Sequence, residues 1–108
     1  MALARINGAL ITDWASFHAQ CQEALGFPEF YAGTMDAWVD CLSYLRDEDG
    51  MTQFHLKANE TLEVIILDSD LMRQQVPDIL DELSFCVIGI NERYEDYGEK
   101  PALALVLL

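Results

Sequence analysis

The chain has 108 residues, and 52% of them are hydrophobic, which is enough to build a core without disulfides or a structural metal. Nineteen acidic residues against six basic ones give a formal net charge of −13. That balance excludes the basic face that nucleic acid or an anionic membrane requires, and it favours rapid capture of a strongly basic protein. We therefore expect one domain over residues 1–108, with neither nucleic acid nor a membrane as its partner.

The cysteines indicate the cellular compartment. Cys21, Cys41 and Cys86 are odd in number, far apart and set among apolar neighbours, with no C-x-x-C pair. This pattern predicts three buried free thiols and no zinc site, as suits a reducing compartment. The sequence has no signal-peptide pattern, and its longest apolar run is only residues 102–108. We therefore expect a cytoplasmic protein.

The first half of the chain predicts one strand and two helices. Residues Ala2–Asn7 alternate between apolar and other side chains, which favours a short strand. Thr12 is expected to cap a first helix that stops at Gly26. Thr34 is expected to cap a second helix. The apolar side of that helix recurs at helical spacing through Met35, Trp38, Leu42 and Leu45.

The second half predicts a sheet with helices between its strands. Leu62–Leu67 is nearly continuous in apolar residues, which favours a strand covered on both faces. A short helix or turn at 68–75 and a helix from Pro77 to about Ser84 follow. Residues 85–94 fit a continued helix or a strand and favour the strand, and residues 102–108 form the last strand. The fold class is therefore α/β: a small, mostly parallel sheet packed against three to four helices, with room for an extra antiparallel strand.

Acidic residues recur along the polar side of the second predicted helix. At about 100° per residue, one line along this helix contains Asp36, Asp40, Ser43 and Asp47. Three aromatic residues precede the helix: Phe27, Phe30 and Tyr31. The carboxylates could form a solvated face, bind a divalent metal, act as general acid and base, or meet the cations of a protein partner. Aromatic residues next to aligned charges are typical of protein interfaces.

Residues 26–42 resemble a known family signature. The strings GFPEFY at 26–31 and MDAWVDCL at 35–42 resemble the signature of the barstar family, intracellular protein inhibitors of barnase-type ribonucleases. The opening string ING at 6–8 and the closing order of buried strand, helix and apolar strand also resemble that family. The resemblance implies an α/β fold in which a helix and its preceding loop enter a ribonuclease active site.

The resemblance also implies roles for single residues. Asp40 matches the key acidic residue of the family, which occupies the phosphate pocket of the enzyme, and Asp36 matches a second acidic contact. Phe30 matches the first of two aromatic residues, which packs against the catalytic histidine of the enzyme. On this basis the expected partner-binding residues are Phe30, Tyr31, Thr34, Asp36, Asp40, Ser43 and Glu82.

The chain departs from the family pattern at two aromatic positions. Phe30 lacks the hydroxyl of the tyrosine that is often found there, and the tryptophan of the second helix stands one place early, at Trp38. A shift of one residue turns a side chain by about 100° around a helix. Trp38 is therefore expected to face the core and to leave the partner surface to Val39.

The leading interpretation is a non-enzymatic inhibitor of a basic ribonuclease, the protein partner, whose active site it blocks. A binding module for another basic, non-nuclease partner is the alternative. A metal-dependent hydrolase using Asp36 and Asp40 ranks third, because further ligands are lacking and His18 and His55 have no metal-ligand spacing. We therefore expect no catalytic residue, no metal, no cofactor and no small-molecule substrate.

Overall fold

The part of the chain that the structure describes contains one parallel sheet of three strands in the order β1-β2-β3. The structure is a computed structural model that describes residues 2–48 and 50–108. The strands are β1 (Ala2–Asn7), β2 (Leu62–Leu67) and β3 (Leu103–Leu107). Ala4 pairs with Val64, and Val64 with Leu105, so these three residues share one face of the sheet. Parallel strands need long crossover connections, and the helices lie in those connections.

In the described residues four α-helices accompany the sheet, so the predicted α/β class is confirmed. They are α1 (Trp14–Leu25), α2 (Met35–Leu42), α3 (Ser69–Gln75) and α4 (Pro77–Asp96). Within the described ranges the sheet is wholly parallel, and the extra antiparallel strand for which the sequence left room is not found there.

The N-terminal end of α1 lies one residue later than predicted. Asp13, not Thr12, caps this helix: its carboxylate accepts the N–H of Ser16 at 2.8 Å. The Ser16 hydroxyl accepts the N–H of Asp13 in return, at 3.1 Å. This reciprocal pair satisfies two backbone donors at once, which gives Asp13 the advantage over the neighbouring threonine.

Residues 85–94 are helical, and the predicted strand there is wrong. They continue α4, which ends at Asp96 rather than near Ser84. The buried residues of this stretch recur at helical spacing: Cys86, Val87, Ile90 and Tyr94. Packing on that one side decides the conformation, because a strand would have turned Ile90 and Val87 to opposite faces.

One face of β2 is completely buried, and the other face is only partly buried. Leu62, Val64 and Ile66 are completely buried, whereas the alternate residues Ile65 and Leu67 are half-buried. The prediction of a strand covered on both faces is therefore wrong. Because Ile65 and Leu67 on the second face are also apolar, the sequence of β2 does not alternate between apolar and polar residues. Such a pattern does not show whether the second face is partly or completely buried.

Candidate functional site

The loop between α1 and α2 presents Phe30 to solvent. Gly26 ends α1 with φ at +67°, a left-handed conformation that glycine adopts without strain. Phe27 then packs into the core, and the side-chain amide of Gln22 donates to the Pro28 carbonyl at 3.1 Å. With the start of the loop held in this way, the side chain of Phe30 remains 78% exposed.

Tyr31 is held from inside the molecule. Its hydroxyl lies 2.5 Å from Nδ1 of His18, and its ring lies 4.7 Å from that of Phe27. The His18 ring stacks in turn on Trp14, with centroids 5.8 Å apart. Burial raises the pKa of Tyr31 and lowers the pKa of His18, so the neutral forms prevail at pH 7. Tyr31 therefore positions the loop, and only part of its ring is left to contact a partner.

Asp36 and Asp40 lie one turn apart on the exposed side of α2. The Thr34 hydroxyl caps the helix by accepting the N–H of Ala37 at 3.1 Å, as predicted. Asp36 lies in the first turn, where the helix dipole favours a carboxylate. The opposite side is closed by Trp38, which is completely buried and confirms its predicted orientation. Among the described residues, no side chain donates a hydrogen bond to either carboxylate.

Ser43 is engaged within the molecule. Its hydroxyl donates to the Val39 carbonyl at 2.6 Å and accepts a hydrogen bond from Arg93 of α4 at 3.2 Å. Because α2 ends at Leu42, the predicted polar line stops short, and Asp47 lies beyond the helix rather than on it. Ser43 therefore joins the end of α2 to α4.

Glu82 is exposed on α4. Its carboxylate accepts a hydrogen bond from the Cys86 thiol, with sulfur and oxygen 3.6 Å apart. Burial, this hydrogen bond, and the negative charges of Glu82 and Asp36 raise the pKa of Cys86 to about 11. A single thiol therefore experiences both carboxylates, and the acidic surface runs from α2 onto α4.

The seven predicted partner-binding residues divide into two groups. Four present an aromatic ring or a carboxylate to solvent: Phe30, Asp36, Asp40 and Glu82. Three hold the surrounding structure through their own hydrogen bonds: Tyr31, Thr34 and Ser43. The exposed group presents one aromatic ring and three carboxylates, a chemistry suited to a cationic cleft with an apolar contact point.

Arg46 supports this surface, although no sequence pattern predicted this role. Its side chain is only 8% exposed and pairs with Glu99 at 3.1 Å. It also donates to the carbonyls of Lys100 and Glu60, and its guanidinium carbon lies 5.1 Å from the centroid of the Tyr94 ring. An arginine next to acidic residues in the sequence is usually exposed, so the local sequence did not predict that the Arg46 side chain is buried.

Tyr94 closes the same region from α4. Its hydroxyl donates to the carbonyl of Leu42 at 3.0 Å and accepts the N–H of Leu45, also at 3.0 Å. These bonds satisfy backbone groups that the end of α2 would otherwise leave buried and unpaired. Together with Arg46, Tyr94 fixes where α2 stops and how its exposed side is presented.

The described residues also bear on three other kinds of feature: disulfides, metal sites and membrane-spanning helices. All three cysteines are buried and free, as predicted. Within residues 2–48 and 50–108, no group of three or more His, Cys, Asp or Glu side chains could hold a metal ion. No helix in these ranges is long and apolar enough to span a membrane.

Comparison with known proteins identifies a protein family. The family model described as Barstar (barnase inhibitor) matches residues 1–106. No curated protein matches the chain. The matched range includes the loop, α2, α4, β1, β2 and all of β3 except Leu107, so it covers every element that builds the surface described above.

Proposed function

The chain belongs to the barstar family of barnase inhibitors, and from that membership we propose that it inhibits a basic, barnase-type ribonuclease. In this proposal α2 and the loop before it cover the active site of the enzyme. The observation that carries the proposal is the exposed pair Asp36 and Asp40, one helical turn apart and directly after the loop that exposes Phe30.

Each exposed group has a counterpart in ribonuclease chemistry. An enzyme that binds RNA holds phosphate groups with cations, and carboxylates form charge-assisted hydrogen bonds with the same cations. An exposed aromatic ring takes the place of a nucleobase, because both stack through their flat faces. We assign Asp40 the central role, Asp36 a secondary one, and Phe30 the aromatic contact. The surrounding contacts come from Tyr31, Thr34, Ser43 and Glu82.

The charge of the whole chain supports a basic target. A net charge of −13 attracts a cationic partner over several ångströms and raises the association rate, an effect for which barnase and its inhibitor are the standard example. We place this action in the cytoplasm, because three buried free thiols suit a reducing compartment. Rapid capture there would protect cellular RNA from the enzyme.

A pair of charge-matched variants tests the proposal. Asp40→Asn removes a carboxylate from the exposed side of α2, and Glu23→Gln removes one from the exposed side of α1. Removing a charge that is buried against a partner's cations costs about 2–5 kcal/mol. In a ribonuclease assay with barnase and other small basic ribonucleases, Asp40→Asn should therefore inhibit at least about thirtyfold less well, with faster dissociation. Glu23→Gln should change inhibition less than about threefold, as expected for a charge outside the interface.

The same assay separates the competing interpretations. Equal inhibition by the wild type and Asp40→Asn would show that the carboxylates of α2 form a solvated helix face and do not contact the enzyme. Failure of the wild type to inhibit any of these enzymes, together with recovery of a basic non-nuclease protein on the immobilised chain, would support the alternative of a binding module.

A further inference from the structure

The outer side of α4 exposes two large apolar side chains. Phe85 is 71% exposed and Ile88 is 58% exposed, although both belong to a helix whose opposite side is fully buried. Gly89 completes the same face, since residues three and four positions apart are neighbours on a helix. We call Phe85, Ile88 and Gly89 the α4 patch. Within the described residues the patch has no cover.

Gly89 leaves open space above the helix backbone. It lies in the middle of α4, where glycine is among the least favourable residues. A Cβ added at this position would have no atom within 4 Å apart from its chain neighbours and the backbone of its own helix, so packing inside the molecule does not require glycine. The missing side chain lets another surface approach the backbone between Phe85 and the next turn.

The charge around the α4 patch restricts what can cover it. The helix contains six carboxylates and one arginine, and Asp81, Glu82 and Glu92 lie on the exposed side with the patch. Two copies of such a helix would repel one another, and an anionic surface would be repelled as well. A cationic protein surface with an apolar contact point is the complementary partner.

The α4 patch adjoins the surface assigned to the ribonuclease. Glu82 precedes Phe85 by one turn and accepts the hydrogen bond of the Cys86 thiol. At the other end of the patch, Arg93 reaches across to the Ser43 hydroxyl at the end of α2. The hydrogen bond between Arg93 and Ser43 thus joins α4 to the end of α2 beside the patch, and a partner seated on Asp36 and Asp40 lies next to it.

We propose that the α4 patch is a second apolar contact for the same basic ribonuclease, which sets how tightly this chain holds its target. This inference rests on the proposed function. The enzyme would meet carboxylates on α2 and an apolar ridge with carboxylate borders on α4. Because an apolar contact acts at short range, it slows dissociation and leaves the salt dependence of association to the carboxylates.

Truncation of exposed apolar residues tests the proposal without threatening the fold. Phe85→Ala and Ile88→Ala each remove an exposed side chain from α4, and Leu10→Ala is the matched control, because Leu10 is 56% exposed outside α2 and α4. Binding to immobilised barnase is followed by surface plasmon resonance across a salt series, with Asp40→Asn alongside. Phe85→Ala and Ile88→Ala should each weaken binding about fivefold to thirtyfold through faster dissociation, with an unchanged salt slope. Leu10→Ala should bind like the wild type.

Each contrary result has a distinct meaning. If Asp40→Asn loses binding while both α4 variants bind like the wild type, the α4 patch lies outside the interface and the proposed function stands. An equal loss in Leu10→Ala would make the effect nonspecific and overturn the inference. Self-association of the wild type that Phe85→Ala abolishes, seen by sedimentation, would assign the patch to a second copy. If the wild type binds neither barnase nor other basic ribonucleases, the proposed function and this inference fail together.

Discussion

The core of the sheet differs from the surface formed by Phe30, Asp36 and Asp40 in how far its side chains are buried. On β2, Val64 and Ile66 are completely enclosed by the protein itself. On the surface, Phe30 is 78% exposed, and among the described residues no donor reaches Asp36 or Asp40. Side chains of the first kind contribute to folding, whereas side chains of the second kind are free to contribute to binding. Substitutions in the core should therefore change the free energy of unfolding, whereas substitutions on this surface should change the affinity for the ribonuclease.

The largest effect is expected in the core. Ile66→Asp places a carboxylate in the central strand at a position with no exposed surface. An unpaired buried charge is among the most destabilising single changes, so the free energy of unfolding should fall by more than about 4 kcal/mol. Chemical denaturation followed by circular dichroism measures this loss.

The neighbouring residue provides the control for that change. Ile65→Asp alters the other face of β2, where the side chain is half-buried. Its carboxylate can reach water, so the loss should be clearly smaller than for Ile66→Asp. Equal losses would show that the second face of the sheet is as well covered as the first.

An intermediate effect is expected where the core supports the loop, at His18. Burial lowers the pKa of His18 in the folded chain, so the unfolded chain takes up its proton first, near pH 6.5. The stability contributed by neutral His18 should be complete above about pH 7 and should decline as the pH falls below about 6.5. The same titration acts on the ring nitrogen that contacts the Tyr31 hydroxyl, so the contact that holds the loop should weaken over this pH range.

Two histidine variants isolate this effect from the titration of the carboxylates. His18→Gln should lose less stability than the wild type between pH 7 and pH 5.5, measured as the difference in denaturation midpoints. His55→Gln, a change at the exposed histidine, should follow the wild type. If His18→Gln also follows the wild type, the contact between His18 and Tyr31 does not couple the loop to pH.

A small gain in stability is expected at Gly89. Gly89→Ala adds a methyl group to the middle of α4, where nothing lies within 4 Å of it apart from its chain neighbours and the backbone of its own helix. The thermal midpoint should rise, because alanine stabilises a helix by about 0.5–1 kcal/mol relative to glycine. If this more stable variant bound the ribonuclease more weakly, Gly89 would contribute to binding at a cost to the stability of the fold. A fall in stability would mean that Gly89 has a packing role that the structure does not contain.

The smallest effect on stability is expected at Phe30. Phe30→Ala removes an exposed ring, so the free energy of unfolding should change by less than about 0.5 kcal/mol. Ribonuclease binding should nevertheless weaken at least about fivefold, with an unchanged salt slope. Calorimetry on the free chain and surface plasmon resonance on the complex give the two numbers. If Phe30→Ala lost stability and kept its affinity, Phe30 would contribute to folding and not to binding.

The sequence alone determined those elements whose signals are local. Thr34 caps α2 because its hydroxyl reaches a backbone N–H three residues later, and Gly26 ends α1 because it adopts a positive φ. The orientation of Trp38 followed from counting residues around a helix. The exposed carboxylates Asp36 and Asp40 could be predicted in the same way, because they lie opposite the apolar side of α2.

Tertiary structure decided the features that depend on distant partners. A run of β-branched residues fits a strand as well as a buried helix, and only packing on one side made residues 85–94 helical. Tyr31 is joined to His18 across thirteen positions, and Arg46 to Glu99 across fifty-three, so no local pattern reveals either contact. Propensity, capping and periodicity act within a few residues, whereas burial and pairing depend on which distant segments the fold brings together. The sequence could therefore locate the acidic side of α2, and only the folded chain shows which polar side chains are free to bind.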